Sequence, residues 1–395
     1  MIDRKKILQS SIIIAVLLVV FNAGFFIGKA QVTCHVCKPE QVNFSLFWDA
    51  YTKLHQNFIN PDKIDEQKLL YGAISGMTKS LGDPYTDFFP PSQAKIFQQD
   101  LKGSFDGIGA EVGLKIGQLT IISPLKGTPA EKAGLKPGDQ IIKINGKSTA
   151  DISVDEAVNI IRGKKGTAVT LTIFREGWKE TKDIKIIRDT VKVNSMDWEL
   201  KNGNIAYIQI HQFDESLTND FKKSSFEILQ SPAKKIILDL RGNPGGYLEV
   251  AQEVAGWFLK SGQIVTIEDF GKDKAKQEYK TEGNAVFVNY PIVVLMNKGS
   301  ASASEILAGA LRDNRNVKLI GEQSFGKGSV QELVNLQDNA SFLKITIAKW
   351  LTPKGNSISE VGLTPDVKVD RTEDDIIANK DPQLNKALEI VNGLQ

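Results

Sequence analysis

Pro291-Ile292-Val293-Val294-Leu295-Met296 leads directly into Asn297-Lys298-Gly299-Ser300-Ala301-Ser302-Ala303-Ser304-Glu305-Ile306-Leu307-Ala308. The first six residues are a continuous apolar run, which suits a strand covered on both faces. A turn of small residues follows, and then a helical stretch. Lys235-Ile236-Ile237-Leu238-Asp239-Leu240 is a second run of the first kind. Buried strands alternating with helices predict an α/β layer architecture for residues 191–372, with no internal repeat.

Working outward, residues 96–190 change character. Gly103, Gly107, Gly109, Gly113 and Gly117 punctuate short β-rich runs. Residues 31–95 form a helical N-terminal arm. Within it Phe44, Phe47, Trp48, Tyr51 and Leu54 recur at three- and four-residue steps and give one apolar face. A second helix is expected from about Asp65 to Leu81, broken by Gly82-Asp83-Pro84. The apolar face makes the arm a packing surface, a homodimerisation surface or a contact for another partner. Residues 373–395 read as a C-terminal helical tail.

At the other end, Arg4, Lys5 and Lys6 precede a stretch from Ile7 to Ile27 that is unbroken in its apolar character from Ile12 to Phe21. As a helix it spans roughly 31 Å, the thickness of a hydrocarbon core. Gly28-Lys29-Ala30 loosely resembles the cleavage site of a secretory signal. Residues 1–30 therefore read as a transmembrane anchor or a signal segment. The basic flank puts the N-terminus in the cytoplasm and everything after about residue 30 outside it. Cys34 and Cys37 are the only cysteines. Two ligands cannot close a structural zinc site, and Cys-His-x-Cys is not a haem attachment order. A disulfide is the expectation in an oxidising compartment.

The 395 residues carry 49 Lys+Arg against 47 Asp+Glu, a net charge of +2. That balance leaves no electrostatic footprint for nucleic acid. Hydrophobic residues at 41% supply an ordinary core. Among only three histidines, His35, His55 and His211, one lies in the α/β segment, so a Ser-His-Asp triad is poorly supplied. No carboxylates and histidines have metal-ligand spacing, and no cofactor is expected.

In the middle segment Pro129 suits the first position of a short helix and Gly134 its left-handed end. Asn145-Gly146 is a two-residue hairpin signal after the strand Gln140–Ile144. Val154, Ala157, Val158 and Ile161 form a stripe on a helix. The run from Pro129 through Asp139 to Asn145-Gly146 resembles the PDZ domains of bacterial proteases. The resemblance implies that Gly107-Ile108-Gly109-Ala110 is the loop whose backbone N–H groups hold a peptide's terminal carboxylate. The peptide would add as a strand beside Ala110–Leu114, its last side chain against Val154, Val158 and Ile161. Ala110 stands where that family often has a large apolar residue. Read without the resemblance, the glycines make a bulge or a turn.

A side chain at the turn after Met296 meets the positive end of a helix dipole and free backbone N–H groups. Ser302 there is either reactive or the cap of a capping box with Glu305, three residues on. Gln323-Ser324-Phe325-Gly326-Lys327-Gly328-Ser329-Val330-Gln331 places a lysine between two glycines in an apolar context. A lysine that loses water there loses proton affinity and can serve a serine as base; the bland alternative is a solvated loop lysine.

Together these segments resemble the C-terminal processing peptidases, or tail-specific proteases, over residues 40–370. The resemblance implies a nucleophile at Ser302, a base at Lys327, 25 residues later, and a lysine-orienting amide at Gln331, four residues beyond. It implies an oxyanion hole from the N–H of Ala303 and a glycine N–H in Asp239-Leu240-Arg241-Gly242-Asn243-Pro244-Gly245-Gly246, with Gly245 favoured over Gly246. The implied fold is the ClpP- and crotonase-like core with an inserted PDZ domain. The implied activity is endopeptidase cleavage of proteins with free, unstructured C-termini, by a chain tethered to a bacterial membrane. Arg162 ends the ligand-lining helix and is expected to relay tail binding to the core, or else to complement that helix's dipole. Two other classes compete. A catalytically inactive PDZ adaptor is opposed by the presence of Ser302, Lys327 and Gln331 together. An acyl-CoA enzyme of the crotonase type is opposed by the PDZ module and the exported location.

Overall fold

The structure is a computed structural model that describes residues 21, 42–115, 117–150, 152, 154–192, 194–272 and 274–394. The expected membrane span, apart from Phe21, and both cysteines lie outside the described residues. Among those described, no helix is long and apolar enough to cross a membrane. The chain divides into two compact units, Met1–Leu70 and Tyr71–Gln395.

In the first unit the helix Ser45–Asn57 carries the aromatic stripe, and Phe47, Trp48 and Leu54 are exposed. Tyr51 donates its O–H to Glu66, and the His55 ring lies 2.7 Å from the same carboxylate. These polar contacts bind the helix to the residues that follow it and leave its apolar residues uncovered.

The second unit begins with a departure from the expected helical arm. The helix Glu66–Lys79 is followed by Asp87–Phe89, a strand paired with Phe342–Leu351. Packing is the reason. Phe88 is buried and Phe89 stacks on Phe342 at 4.8 Å, while Asp83 accepts from the Thr86 hydroxyl and holds the turn before the strand. The helix Pro91–Leu101 then leads to the strand Ser104–Gly107, which pairs antiparallel with Asp189–Lys192.

Between those two strands lies an antiparallel sheet in the order Ala110–Lys115, Gln118–Pro124, Gln140–Ile144, Ala168–Phe174, Lys182–Ile187. Ile121, Ile141, Leu171 and Ile173 fill its core with Ala157 and Ile161 of the helix Val154–Ile161. Asn145 and Gly146 take φ of 51° and 80°, the left-handed pair that lets a two-residue hairpin follow the strand twist.

The remaining sheet runs in the order Met196–Lys201, Ile205–Ile210, Lys235–Asp239, Ile292–Met296, Lys318–Gly321, Val367–Lys368. Its first pair is antiparallel and the rest are parallel. All of Ile292–Met296 is buried, as its unbroken apolar run requires. One face packs on the helices Leu217–Gln230, Leu248–Phe258 and Ala303–Arg315. The other packs on Ala387 and Val391 of the helix Pro382–Gly393. The C-terminal helix is thus a layer of the core rather than a tail, since Ile237, Val293 and Leu295 would otherwise be open to water. A second, antiparallel sheet holds Asp87–Phe89, Phe342–Leu351, Ile264–Asp269 and Gln277–Lys280, with Ser329–Asn335 paired to Phe342–Leu351.

Candidate active site

The strand Ile292–Met296 ends at a turn that delivers Ser302 to the N-terminus of the helix Ala303–Arg315. Ser302 has φ 56° and ψ −117°, a conformation L residues rarely adopt and one that costs about 1–3 kcal/mol. Its neighbours hold it there. Ser300 Oγ donates to Leu240 O at 2.8 Å, and Ser304 Oγ donates to Asn243 O at 3.0 Å. Ala301 N–H donates to that same Asn243 carbonyl. Ser300 and Ser304, which the sequence places simply at a helix start, therefore lash the turn to the loop after Asp239.

That loop approaches so closely that only glycine fits. A Cβ on Gly245 would stand 2.7 Å from Ala301 O and 2.7 Å from Ser302 Cβ, and φ is +98°. Gly245 donates its N–H to Asn243 Oδ1 at 2.9 Å. The amide favoured for an oxyanion hole is therefore committed within its own loop, because the Asn243 side chain turns back onto it. Gly246 N–H and Ala303 N–H have no such partner among the described residues. Behind the loop, buried Asp239 accepts from Tyr207 O–H and from Arg241, whose guanidinium also reaches Asp381 and Gln383 ahead of and within the C-terminal helix. Burial opposes the charge on Arg241, but Asp239 and Asp381 outweigh it and raise the pKa.

Glu305 joins this turn to the lysine segment. Its carboxylate is 1% exposed and takes four donors: Ser302 N–H at 2.8 Å and Lys327 N–H at 3.0 Å on one oxygen, Ser324 O–H at 2.6 Å and Gly326 N–H at 2.7 Å on the other. The capping reading of Glu305 is correct as far as it goes. The other three donors come from residues about twenty positions away, which no local pattern reveals. Gly326 and Gly328 are needed because added Cβ atoms would meet Glu360 at 2.9 Å and Ser359 N at 2.2 Å.

Ser302 and Lys327 face one cavity of about 560 Å³, with Gln331, Gly245, Gly246 and Lys344 also in its wall. Burial lowers the Lys327 pKa, the Lys344 ammonium lowers it further, and Glu305 opposes both. Lys344 was not singled out from sequence; its signal is spatial, as it is itself half-buried with its own pKa lowered by desolvation. Lys327 Nζ lies 6.0 Å from the Tyr85 ring centre and makes no hydrogen bond to Ser302. Gln331 makes no hydrogen bond to Lys327 either; its amide nitrogen donates to Ser329 Oγ at 2.6 Å. His211 does not line the cavity; its ring pairs with Asp197 at 2.9 Å.

Residues 204–369 match the model of peptidase family S41, residues 96–174 that of the PDZ domain, and residues 29–90 that of the activating protease CtpB N-terminal domain. The chain is 44% identical over 321 residues to the carboxy-terminal processing protease CtpA of Bacillus subtilis, covering 81% of this chain and 68% of that protein. It is 40% identical over 324 residues to CtpB of the same organism, covering 81% and 66%. This chain belongs to the carboxy-terminal processing proteases of family S41. It spans about two thirds of the length of those curated relatives. Among solved structures it is similar to a photosystem II D1 C-terminal processing protease, at 26% identity and TM-score 0.52, over 82% of this chain and 92% of that one. A putative S41 protease from Bacteroides fragilis, 17% identical with TM-score 0.53, shares the fold over 91% of this chain and 100% of that one.

In the PDZ domain of this S41 protease Ala110–Lys115 is an edge strand that, among the described residues, pairs only with Gln118–Pro124, and the helix Val154–Ile161 lies beside it. In the preceding loop Ile108 O accepts from Ala130 N–H, and Gly109 O accepts from Leu125 N–H and Thr128 O–H. The carbonyls therefore point into the domain. Gly109 has φ +73°, and a Cβ there would meet Thr128 at 2.5 Å. Ile161 is buried, while Ala110, Val154 and Val158 are half-buried and Gly107 is covered. Arg162 stacks its guanidinium over Phe105, 4.5 Å from the ring centre, on the strand that enters the domain.

Proposed function

We propose that this protease cuts with Ser302 as nucleophile and Lys327 as general base, on proteins whose free C-terminus docks in the PDZ groove. One observation carries the reading. Ser302, held in a strained turn at a helix N-terminus, faces the same cavity as a lysine whose charge burial disfavours. Ser302 Oγ attacks the peptide carbonyl carbon and its proton passes to Lys327 Nζ. The C–N bond breaks, and the departing amine takes that proton. Water then cleaves the acyl ester and Ser302 is restored. Ala303 N–H and Gly246 N–H serve the oxyanion, each worth about 3–4 kcal/mol of transition-state stabilisation.

Catalytic hydrogen bonds in a substrate-free site are often long and tighten only with substrate. The missing Ser302–Lys327 and Lys327–Gln331 bonds support a resting site that closes on engagement. In the engaged site Gln331 leaves Ser329 and orients the Lys327 amine. Arg162 joins the ligand-lining helix to Phe105, which supports a role in relaying tail docking to the core. Loss of turnover in Arg162→Ala with tail binding intact is the expected outcome; unchanged turnover removes the relay. The terminal carboxylate binds the N–H groups of Gly107-Ile108-Gly109-Ala110, the tail adds along Ala110–Lys115, and its last side chain rests on Val154, Val158 and Ile161. The basic flank and apolar run at residues 4–27 support a membrane tether with the catalytic part outside the cytoplasm, and the exposed aromatic stripe of Ser45–Asn57 supports a homodimer.

The test is a tailed peptide with free or amidated C-terminus, given to wild type, Ser302→Ala and Lys327→Ala. The free tail is cut faster by wild type, and both variants are inactive. Cutting that survives either substitution overturns the dyad. An inactive adaptor predicts no cutting and no fluorophosphonate label on Ser302.

A further inference from the structure

The cavity that holds Ser302 also reaches a carboxylate that the reaction does not use. Glu268, 4% exposed, stands on the strand Ile264–Asp269 opposite Trp350, whose N–H donates to Gly328 O beside Lys327. Ile306, Val330, Trp350 and Leu248 line the same cavity, as does a second carboxylate, Glu249. Glu268 accepts one hydrogen bond, from Tyr279 O–H at 2.7 Å, and Tyr279 is set edge-on against Trp350 with ring centres 5.8 Å apart. Among the described residues Glu268 has no ion pair, although two lysines line the same cavity.

A carboxylate that is mostly covered gains from anything that completes its hydrogen bonding and balances its charge. The Tyr279 bond fixes one oxygen and the orientation of the group, and Lys327 and Lys344 do not pair with it. Its second oxygen takes no donor from the described residues and is left to water or to a substrate group. Ile306 lies one helical turn beyond Ser302 and lines the same cavity, so a side chain attached to the attacked carbonyl enters a space that Ile306 and Glu268 both border.

We infer that Glu268 is a specificity-determining residue that receives the basic side chain of a lysine or arginine immediately before the cut bond. The aliphatic stem of such a residue lies along Ile306, Val330 and Trp350, and its charged head meets the carboxylate. This rests on Ser302 being the nucleophile, and the experiment separates the two.

A pool of peptides, randomised across the cleavage region and sharing one unstructured C-terminal tail, is digested by the full chain and cut positions are read by mass spectrometry. Lysine and arginine before the cut are expected to exceed leucine, valine and alanine in kcat/KM by roughly 10–100-fold, the range for a hydrogen bond to a charged group. Glu268→Gln is expected to bring that ratio to within a few-fold of one. Tyr279→Phe, which frees the second oxygen, is expected to retain the basic preference. A wild-type profile without basic residues before the cut overturns the inference whatever the variants do. So does a basic preference that Glu268→Gln leaves unchanged. Digestion that persists in Ser302→Ala refutes the nucleophile instead.

Discussion

Replacing Glu305 by glutamine keeps its shape and removes one acceptor. Each carboxylate oxygen takes two donors, Ser302 N–H and Lys327 N–H on one, Ser324 O–H and Gly326 N–H on the other. With its NH₂ toward Ser302 and Lys327, a glutamine leaves two N–H groups without their acceptor; turned the other way, the Ser324 hydroxyl can rotate to accept and the Gly326 N–H loses its acceptor. One or two donors are then unsatisfied, at about 1–2 kcal/mol each, for a total near 1–4 kcal/mol. Burial raises the Glu305 pKa even against those four bonds. Its ionised form is therefore not itself a source of stability, and the loss is one of hydrogen bonding. The activity loss should be larger than the stability loss implies. The same carboxylate orders the backbone of both Ser302 and Lys327, and a misplacement near 1 Å can cost on the order of 100-fold. Urea unfolding and kcat/KM on a tailed peptide, measured at one pH, test this. A Glu305→Gln enzyme within about 0.5 kcal/mol of wild-type stability and tenfold of its activity would refute the assignment of Glu305 as the strut between the two segments.

Lys327 is expected to give kcat/KM a rising limb with pH, centred below the ordinary lysine value because burial and Lys344 disfavour the ammonium. The folded pKa lies below the unfolded one, so the fold carries a penalty in full below the folded value and none above the unfolded one. Lys327→Met should abolish cutting yet stabilise the fold at neutral pH, by about 1.4 kcal/mol for each unit of depression, as read by urea titration at pH 7 and pH 11. Gly109→Ala forces a methyl to 2.5 Å from Thr128 at φ +73°, so tail binding measured by fluorescence anisotropy should fall at least tenfold while labelling of Ser302 by fluorophosphonate persists. Arg241→Gln leaves Asp239 buried without its cation and is expected to lose about 3–5 kcal/mol in urea unfolding, loosening the glycine loop that faces Ser302.

The alternation of apolar runs with helices was legible, because a doubly covered strand needs an unbroken run such as Ile292–Met296. So were Asn145-Gly146 and the short helix at Pro129, whose backbone geometry depends on the residue itself. Asp87–Phe89 was not, since its strand character comes from Phe342 and Thr346, more than 250 positions away. The role of Pro382–Gly393 as a core layer was hidden for the same reason.

At the site, the resemblance to the C-terminal processing peptidases nominated Ser302, Lys327 and Gln331, and the order of small residues nominated the turn. Local sequence determined which residue types were on offer, because torsional preference and hydrophobic period act over a few positions. Only tertiary structure decided that Gly245 gives its N–H to Asn243, that Glu305 spans two segments, that Lys344 stands near enough to weaken the Lys327 charge, and that Glu268 enters the cavity. Those are through-space matters of desolvation and hydrogen bonding, set by which distant segments the core brings within a few ångströms.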